Sequence, residues 1–236
     1  MPNPKTSKST VSEPVEPLSG IAKRRNAARL DSTPEYLVRR DRLIEAAAQV
    51  FRNRGYSRTT LGEVAEVADI ERPNIYYYVA NKRELFIEVL KRTMLYSSDI
   101  NLENISGVNS AADRLRILMI EMMERYERHY PYLYLGTQEN LSFLTDEDDT
   151  TALAEQIETI GQRQFAAIRQ VLKEGTESGE FRSNLSPGVL AEAVIGAFAW
   201  SSRWFDPGSS RFSGTELGAA FSDILLHGLL GGPQQR

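Results

Sequence analysis

Residues 59–85 read TTLGEVAEVADIERPNIYYYVANKREL. Two short helical segments flank a tight turn in this stretch. Thr59 or Thr60 stands where a helix cap belongs, with Glu63 spaced to close a capping box. Leu61, Val64, Ala65 and Ala68 give the first segment one apolar side. Asp69, Ile70 and Glu71 form the turn, and Pro73 suits the first turn of a helix running to about Tyr78. Ile75 and at least one tyrosine must pack inward. The rest of that segment presents Arg72, Asn74 and the phenol hydroxyls of Tyr76, Tyr77 and Tyr78. Arginine donates to guanine edges and asparagine pairs with adenine, while tyrosine hydroxyls and Lys82 suit phosphate oxygens. Thr60, at a helix N-terminus, offers a hydroxyl and a backbone N–H to phosphate, aided by the helix dipole. Two short helices with a three-residue turn, preceded by an amphipathic helix, form the helix-turn-helix layout.

The preceding helix starts at Pro34 with Thr33 as its cap. Leu37, Leu43, Ile44, Ala47, Ala48, Val50 and Phe51 form its apolar stripe, and Gly55 stops it. A fourth helix begins near Lys82 and continues to about Ser98. After a polar segment, five more are expected over approximately 110–129, 131–143, 150–178, 186–205 and 213–230. Pro131, Gly179, Pro187, Pro207–Gly208 and Gly214 punctuate them. No stretch alternates with period two, so the fold class is all-α. The expected division is a disordered basic tail over 1–33, a helix-turn-helix head over 34–82 and a helical body over 83–232. In the tail, Lys23, Arg24, Arg25 and Arg29 either touch phosphates or simply keep the chain solvated.

The chain has 236 residues and an apolar fraction of 41%, enough for a real core. It has no cysteine, which excludes disulfides and thiolate metal sites and suits a reducing cytoplasm. Its two histidines, His129 and His227, stand far apart with no carboxylate at metal-ligand spacing, so neither a metal nor a cofactor is expected. No secretory signal and no membrane-spanning stretch is visible. The net charge of −4 is unevenly spread: residues 1–82 hold 14 Lys/Arg and 10 Asp/Glu, and residues 83–236 hold 14 and 22. The positive end is where a polyanion would be met. A P-loop, a G-x-S-x-G elbow and a dinucleotide glycine motif are all missing, which argues against an enzyme. The carboxylate pair Glu121 and Glu124 reads as a solvated helix face.

Over residues 39–85 the chain resembles the TetR family of one-component repressors. The residues that carry the likeness are Ile44, Ala47, Ala48, Phe51, Gly55, Tyr56, Thr59, Thr60, Val64 and Ala65. They are followed by Asn74-Ile75-Tyr76-Tyr77-Tyr78, Asn81-Lys82, Glu84 and Leu85. Asp69 stands where the family usually has glycine, Glu71 replaces a frequent Ser or Thr cap, and Val79 replaces a common phenylalanine. Aspartate tolerates left-handed backbone better than most residues. The resemblance implies that Thr60, Tyr77, Tyr78 and Lys82 hold phosphates and that Arg72, Pro73 and Asn74 meet base edges or a thymine methyl. It also implies that Arg39 and Arg40 approach the minor groove or backbone and that Arg58 meets phosphate. The partner implied is a double-stranded DNA operator.

The body carries many aromatic residues at helical positions, which core packing alone could explain. The family resemblance instead implies a ligand pocket among the fourth to eighth helices. Met122, Tyr126, Phe143, Phe165, Phe198 and Trp200 are its candidate apolar wall, with Gln138, Asn140 or Arg169 as polar partners. The segment from Trp200 to Gly208 is similar to one in actinobacterial members that sense acyl-CoA thioesters. A lipid or acyl-CoA-like effector is therefore one candidate, with Arg203 either an anion contact or a surface ion-pair former. The last two helices are expected to form a homodimer through Leu190, Val194, Ala197 and Ser201 on one and Leu217, Phe221, Ile224, Leu225 and Gly228 on the other. The expected function is a ligand-responsive regulator released from a near-palindromic operator. The alternative is a ligand-independent dimeric regulator or architectural protein.

Overall fold

The computed structural model describes residues 20, 33–97, 102–138 and 148–230. Lys23, Arg24, Arg25 and Arg29 of the expected tail, and the pocket candidates Asn140 and Phe143, lie outside the described residues. The helices are α1 (Pro34–Arg54), α2 (Leu61–Val67), α3 (Arg72–Tyr77), α4 (Lys82–Ser97), α5 (Ala111–Arg128), α6 (Tyr132–Gln138), α7 (Asp148–Glu177), α8 (Pro187–Ser201) and α9 (Gly214–Leu230). There is no strand among the described residues.

The Thr33 hydroxyl accepts the Tyr36 N–H at 3.3 Å, and Pro34 opens α1. Gly55 ends it with φ at 74°, donating its N–H to the Phe51 carbonyl at 2.7 Å. Leu43, Ile44, Ala47 and Phe51 are buried as expected. Leu37 is 47% exposed, and the neighbouring Tyr36 takes the inward position instead, stacked on Tyr78 at 5.3 Å. α3 is a 3-10 helix rather than an α-helix. α8 stops at Ser201, four residues before the expected end. The hydroxyls of Ser201 and Ser202 donate to the Phe198 and Ala199 carbonyls at 2.7 and 2.6 Å. Such local bonds compete with helix continuation.

One apolar cluster runs from α1 through Val64 and Ile75 to Phe86, Val89 and Leu90 of α4, then into Tyr132 and Leu135 of α6 and Leu153 of α7. A second joins Leu115, Met119, Leu172, Val194 and Leu226 from α5, α7, α8 and α9. Glu180, after α7, reaches the N-terminus of α5 and accepts from Ser110 Oγ at 2.7 Å and from the Ala111 and Ala112 N–H groups at 2.8 and 2.9 Å. The acid sits where the helix dipole favours it.

The seam expected to join two subunits divides differently. Leu190, Val194, Ser201 and Leu217 are buried within the protomer, because α8 and α9 pack inward on α5 and α7. Ile224 is 71% exposed, and Val189, Trp200 and Trp204 are also open.

α5 and α9 approach closely because α9 carries glycine at the contact. A Cβ on Gly218 would lie 2.6 Å from Ile120 Cα, and one on Gly214 would lie 2.5 Å from the Met123 carbonyl oxygen. Alanine improves helix propensity by up to about 1 kcal/mol over glycine, but here it meets backbone that cannot swing aside. Gly218→Ala is expected to destabilise the chain by about 1–3 kcal/mol, the usual cost of overpacking. Urea unfolding at fixed protein concentration measures this, and an unchanged midpoint would contradict the close-packing argument.

Candidate functional site

Thr60, not Thr59, caps α2. Its hydroxyl accepts the Glu63 N–H at 3.3 Å, and the Glu63 carboxylate accepts the Thr60 N–H at 2.8 Å and its hydroxyl at 2.9 Å. The Thr60 bonds to Glu63, chiefly the backbone one, hold that carboxyl below its usual range. Thr59 is buried and donates to the Gly55 carbonyl at 2.9 Å. The turn into α3 passes through Asp69 at φ 55°, the left-handed geometry expected there. The Glu71 carbonyl accepts the Asn74 N–H at 2.8 Å, and its carboxylate accepts from Asn74 Nδ2 at 3.3 Å.

Ile75 anchors α3 with no exposed surface. Tyr78 is buried against Tyr36, while Tyr76 and Tyr77 are each 39% exposed. Arg72, Pro73 and Asn74 are exposed on the same short helix. Arg72 lies over Gly62, where a Cβ would stand 3.4 Å from its Nε. An open groove of about 690 Å³ brings Arg39 and Arg42 of α1 together with Asp69 and Glu71 of the turn and with Pro73, Asn74 and Tyr77 of α3.

Other expected phosphate contacts are engaged within the chain. Arg40 pairs with Glu88 of α4. Arg58 is exposed and donates from Nε to the Arg54 carbonyl at 2.9 Å. Lys82 Nζ donates to the Tyr56 and Ser57 carbonyls at 2.8 and 3.2 Å and sits 4.5 Å from the centre of the Tyr56 ring. The ammonium thus pins the α1–α2 loop to the start of α4.

In the body, a cleft of about 150 Å³ opens between α4, α5, α6, α7 and α8. Leu133, Ile157, Ile160 and Phe198 supply apolar wall, and Thr93, Thr137, Arg125 and Gln164 supply polar groups. Met122 lines two smaller spaces beside it, one shared with Arg125 and one with Phe198. Of the sequence candidates, Phe198 therefore borders the cleft and Met122 adjoins it.

The remaining candidates sit elsewhere. Tyr126 is wholly buried among Met123, Leu133, Phe205 and Leu217, and that burial pushes its phenol up; it is core, not cleft wall. Phe165 packs on the α5–α7–α8 core. Gln138 donates to Ser202 Oγ at 2.6 Å, tying α6 to the end of α8. Arg169 is exposed on α7. Trp200 is 62% exposed, with the Arg203 guanidinium 4.8 Å from its ring centre. These positions correct the expected cleft lining: α8 turns Phe198 inward and Trp200 outward.

Sequence reading missed Arg125, Gln164, Ile157 and Ile160. Arg125 had a visible signal, since it is a charge three residues after Met122 within the apolar stripe of α5, and it is only 7% exposed. Glu121 and Glu124 face polar partners, Asn104 and Thr215. Among the described residues there is no cluster able to hold a metal, and no helix is long and apolar enough to cross a membrane.

The family model for bacterial regulatory proteins of the tetR family matches residues 43–89, and the model for the tetracyclin repressor-like C-terminal domain matches residues 108–229. The chain belongs to the TetR family. It is thus a helix-turn-helix transcriptional regulator. It is 25% identical over 201 residues to the HTH-type transcriptional repressor KstR2 of Mycolicibacterium smegmatis, covering 84% of this chain and 94% of that one. The ketosteroid transcriptional regulator KstR2 of Mycobacterium tuberculosis has the same fold, with a TM-score of 0.70 at 24% identity over 82% of this chain and 96% of its own. AibR, crystallised with isovaleryl coenzyme A and operator DNA, aligns with a TM-score of 0.63 at 20% identity over 80% of this chain and 98% of its own.

In this TetR-family head, α1 and α4 are joined by Arg40–Glu88 and by Arg92–Asp41. Burial raises the Glu88 carboxyl, but hydrogen bonds and charge from Lys91 and Arg40 outweigh it and leave the group below its ordinary range. A carboxyl lowered in the folded state contributes stability above its unfolded value, about 4.3 for glutamate, and loses it as pH falls through the folded value. Glu88→Gln should therefore be less stable than the parent near pH 7, and the gap should narrow as pH is lowered below about 4. Urea midpoints across that pH range check this; a gap that persists in acid would remove the ion-pair account.

Proposed function

We propose that this TetR-family regulator grips operator DNA with the face formed by the N-terminal half of α1 and by α3. In this reading Arg72, Pro73 and Asn74 meet base edges. Arg39, Tyr76 and Tyr77 contact phosphate or groove wall, joined by Arg58 and by the capped N-terminus at Thr60. Tyr78, Lys82 and Arg40 act through position: Tyr78 fixes the angle of α3, Lys82 holds the loop that carries Arg58, and Arg40 braces α1 against α4. The observation that carries the reading is the open groove where Arg39, Arg42, Asn74 and Tyr77 converge. The excess of basic over acidic residues across residues 1–82 supports it further. The head occupies about residues 34–82 and the body the remainder, joined by α4.

The protein acts as a cytoplasmic homodimer. What supports dimerisation, beside the family, is an apolar outer face of α8 and α9 on which Val189 is 52%, Trp200 62% and Ile224 71% exposed. Two-fold symmetry requires a near-palindromic operator. The body takes a small, largely apolar effector of lipid or acyl-CoA-like chemistry in the cleft beside Phe198. Effector binding shifts α4 and lowers operator affinity, so the regulator is a repressor and not a catalyst. An effector does this only by binding the two states unequally. The small size of the cleft favours a second reading, a regulator that needs no ligand.

Selection of bound DNA from a random pool tests both readings when repeated with isovaleryl coenzyme A present. The expected product is a near-palindrome with half-sites about one DNA turn apart, roughly 34 Å, and weaker recovery with the thioester. Asymmetric or unenriched sequence would overturn the DNA reading. Arg39→Ala should weaken binding to all sequences and reduce the salt slope by about 1, whereas Asn74→Ala should relax discrimination at one position. In sedimentation, Ile224→Asp should convert dimer to monomer; an unchanged dimer would exclude this face.

A further inference from the structure

Glu71 stands in the cap position of α3, yet its side chain makes no capping bond there. The backbone closes that turn, with the Asn74 N–H donating to the Glu71 carbonyl at 2.8 Å. The carboxylate turns instead to a side chain and accepts from Asn74 Nδ2 at 3.3 Å. It does so although Arg39 and Arg42 line the same groove. Glu71 and Asn74 are both exposed and both border that groove, so the bond lies at its surface and not in the core.

An ionised carboxylate only accepts hydrogen bonds. The amide must therefore offer it nitrogen, because a flipped amide would set Oδ1 against it, acceptor against acceptor. The orientation of the Asn74 amide is thereby fixed. One of its two Nδ2 hydrogens is engaged, which leaves one donor and one acceptor for the groove. Adenine presents the complementary pair in the major groove, the N7 acceptor and the N6 amino donor. Guanine presents two acceptors, N7 and O6. An unrestrained asparagine serves these with both Nδ2 hydrogens, and one whose second hydrogen is held does not.

On the reading that Asn74 meets a base edge, we propose that Glu71 is a positioning residue that sets which base Asn74 accepts, adenine over guanine. The carboxylate lowers affinity for DNA in general, since it adds negative charge beside phosphates, and gains selectivity at one base pair.

Equilibrium binding by the full-length dimer tests this. The probes are the palindrome recovered from the random pool, duplexes in which each half-site position carries each other base, and a random duplex. Asn74→Ala first marks the position that Asn74 reads. There the unaltered protein is expected to prefer adenine over guanine about fivefold or more. Glu71→Gln should reduce that preference about threefold or more at the same position, while binding to every duplex, the random one included, tightens. In the Asn74→Ala background, Glu71→Gln should change discrimination nowhere, the non-additivity of a coupled pair. A purely structural Glu71 would instead weaken binding to every duplex, and that result overturns the positioning role. If Asn74→Ala relaxes a position and Glu71→Gln leaves it unchanged, positioning is overturned and base reading by Asn74 stands. If Glu71→Gln relaxes a different position, and does so in the Asn74→Ala background too, Glu71 reads a base itself and the proposal falls. If Asn74→Ala relaxes no position, base reading by Asn74 falls and the proposal with it.

Discussion

α4 belongs to two cores at once, and the arrangement of the molecule depends on that sharing. At its head end Phe86 meets Phe51 edge-on at 5.1 Å and Tyr56 at 4.8 Å. Toward its body end Thr93 donates to the Tyr132 carbonyl of α6 and lines the cleft. A closely packed interior transmits displacement instead of absorbing it. Movement of α4 at the cleft therefore reaches the helix-turn-helix through buried side chains. A second link runs beside it: Arg52, in the last turn of α1, pairs with Asp206 at 2.5 Å and lies 5.5 Å from the Tyr130 ring centre. The head is held from two directions, by α4 and by the corner that follows α8.

The surface proposed to face DNA combines rigid and adaptable parts. Glu63 and Thr60 close a reciprocal cap at α2, and Ile75 and Tyr78 seat α3 from beneath. Arg39, Arg72 and Asn74 project from that frame with their ends exposed. Glu71 and Asp69 set negative charge at the edge of the same groove. A groove with both signs penalises misplaced phosphates as well as rewarding correctly placed ones, in the way specificity commonly uses repulsion.

Much of the fold was legible in the sequence because local signals agreed. Thr33-Pro34 and Gly55 bracket α1, and Asp69 adopts the left-handed turn its residue type tolerates. The helix-turn-helix was readable for the same reason: its spacing is set by short-range caps and turns. Side-chain direction in the body was not readable in the same way. Apolar spacing shows that α8 is buried on one face, but it does not say that Phe198 turns in and Trp200 out, because that depends on where α5 and α9 lie. Tyr126 looked like a lining residue because core and pocket draw on the same aromatic residues. Arg125 was overlooked because a lone charge in an apolar stripe reads as an interruption of the pattern. The partners of Arg40 and Lys82 lie 48 and 25–26 residues away in sequence, beyond the reach of any local rule.

The exposed face of α8 and its following corner holds one further property. The chain has two tryptophans, Trp200 and Trp204, and both stand more than half exposed there. Neither lies in the head, whose aromatic residues are phenylalanine and tyrosine. Indole emission excited at the red edge of the absorption band therefore arises from one small region of each protomer. The regulator thus carries an optical label on the face proposed to join its subunits, separate from the helices proposed to read DNA.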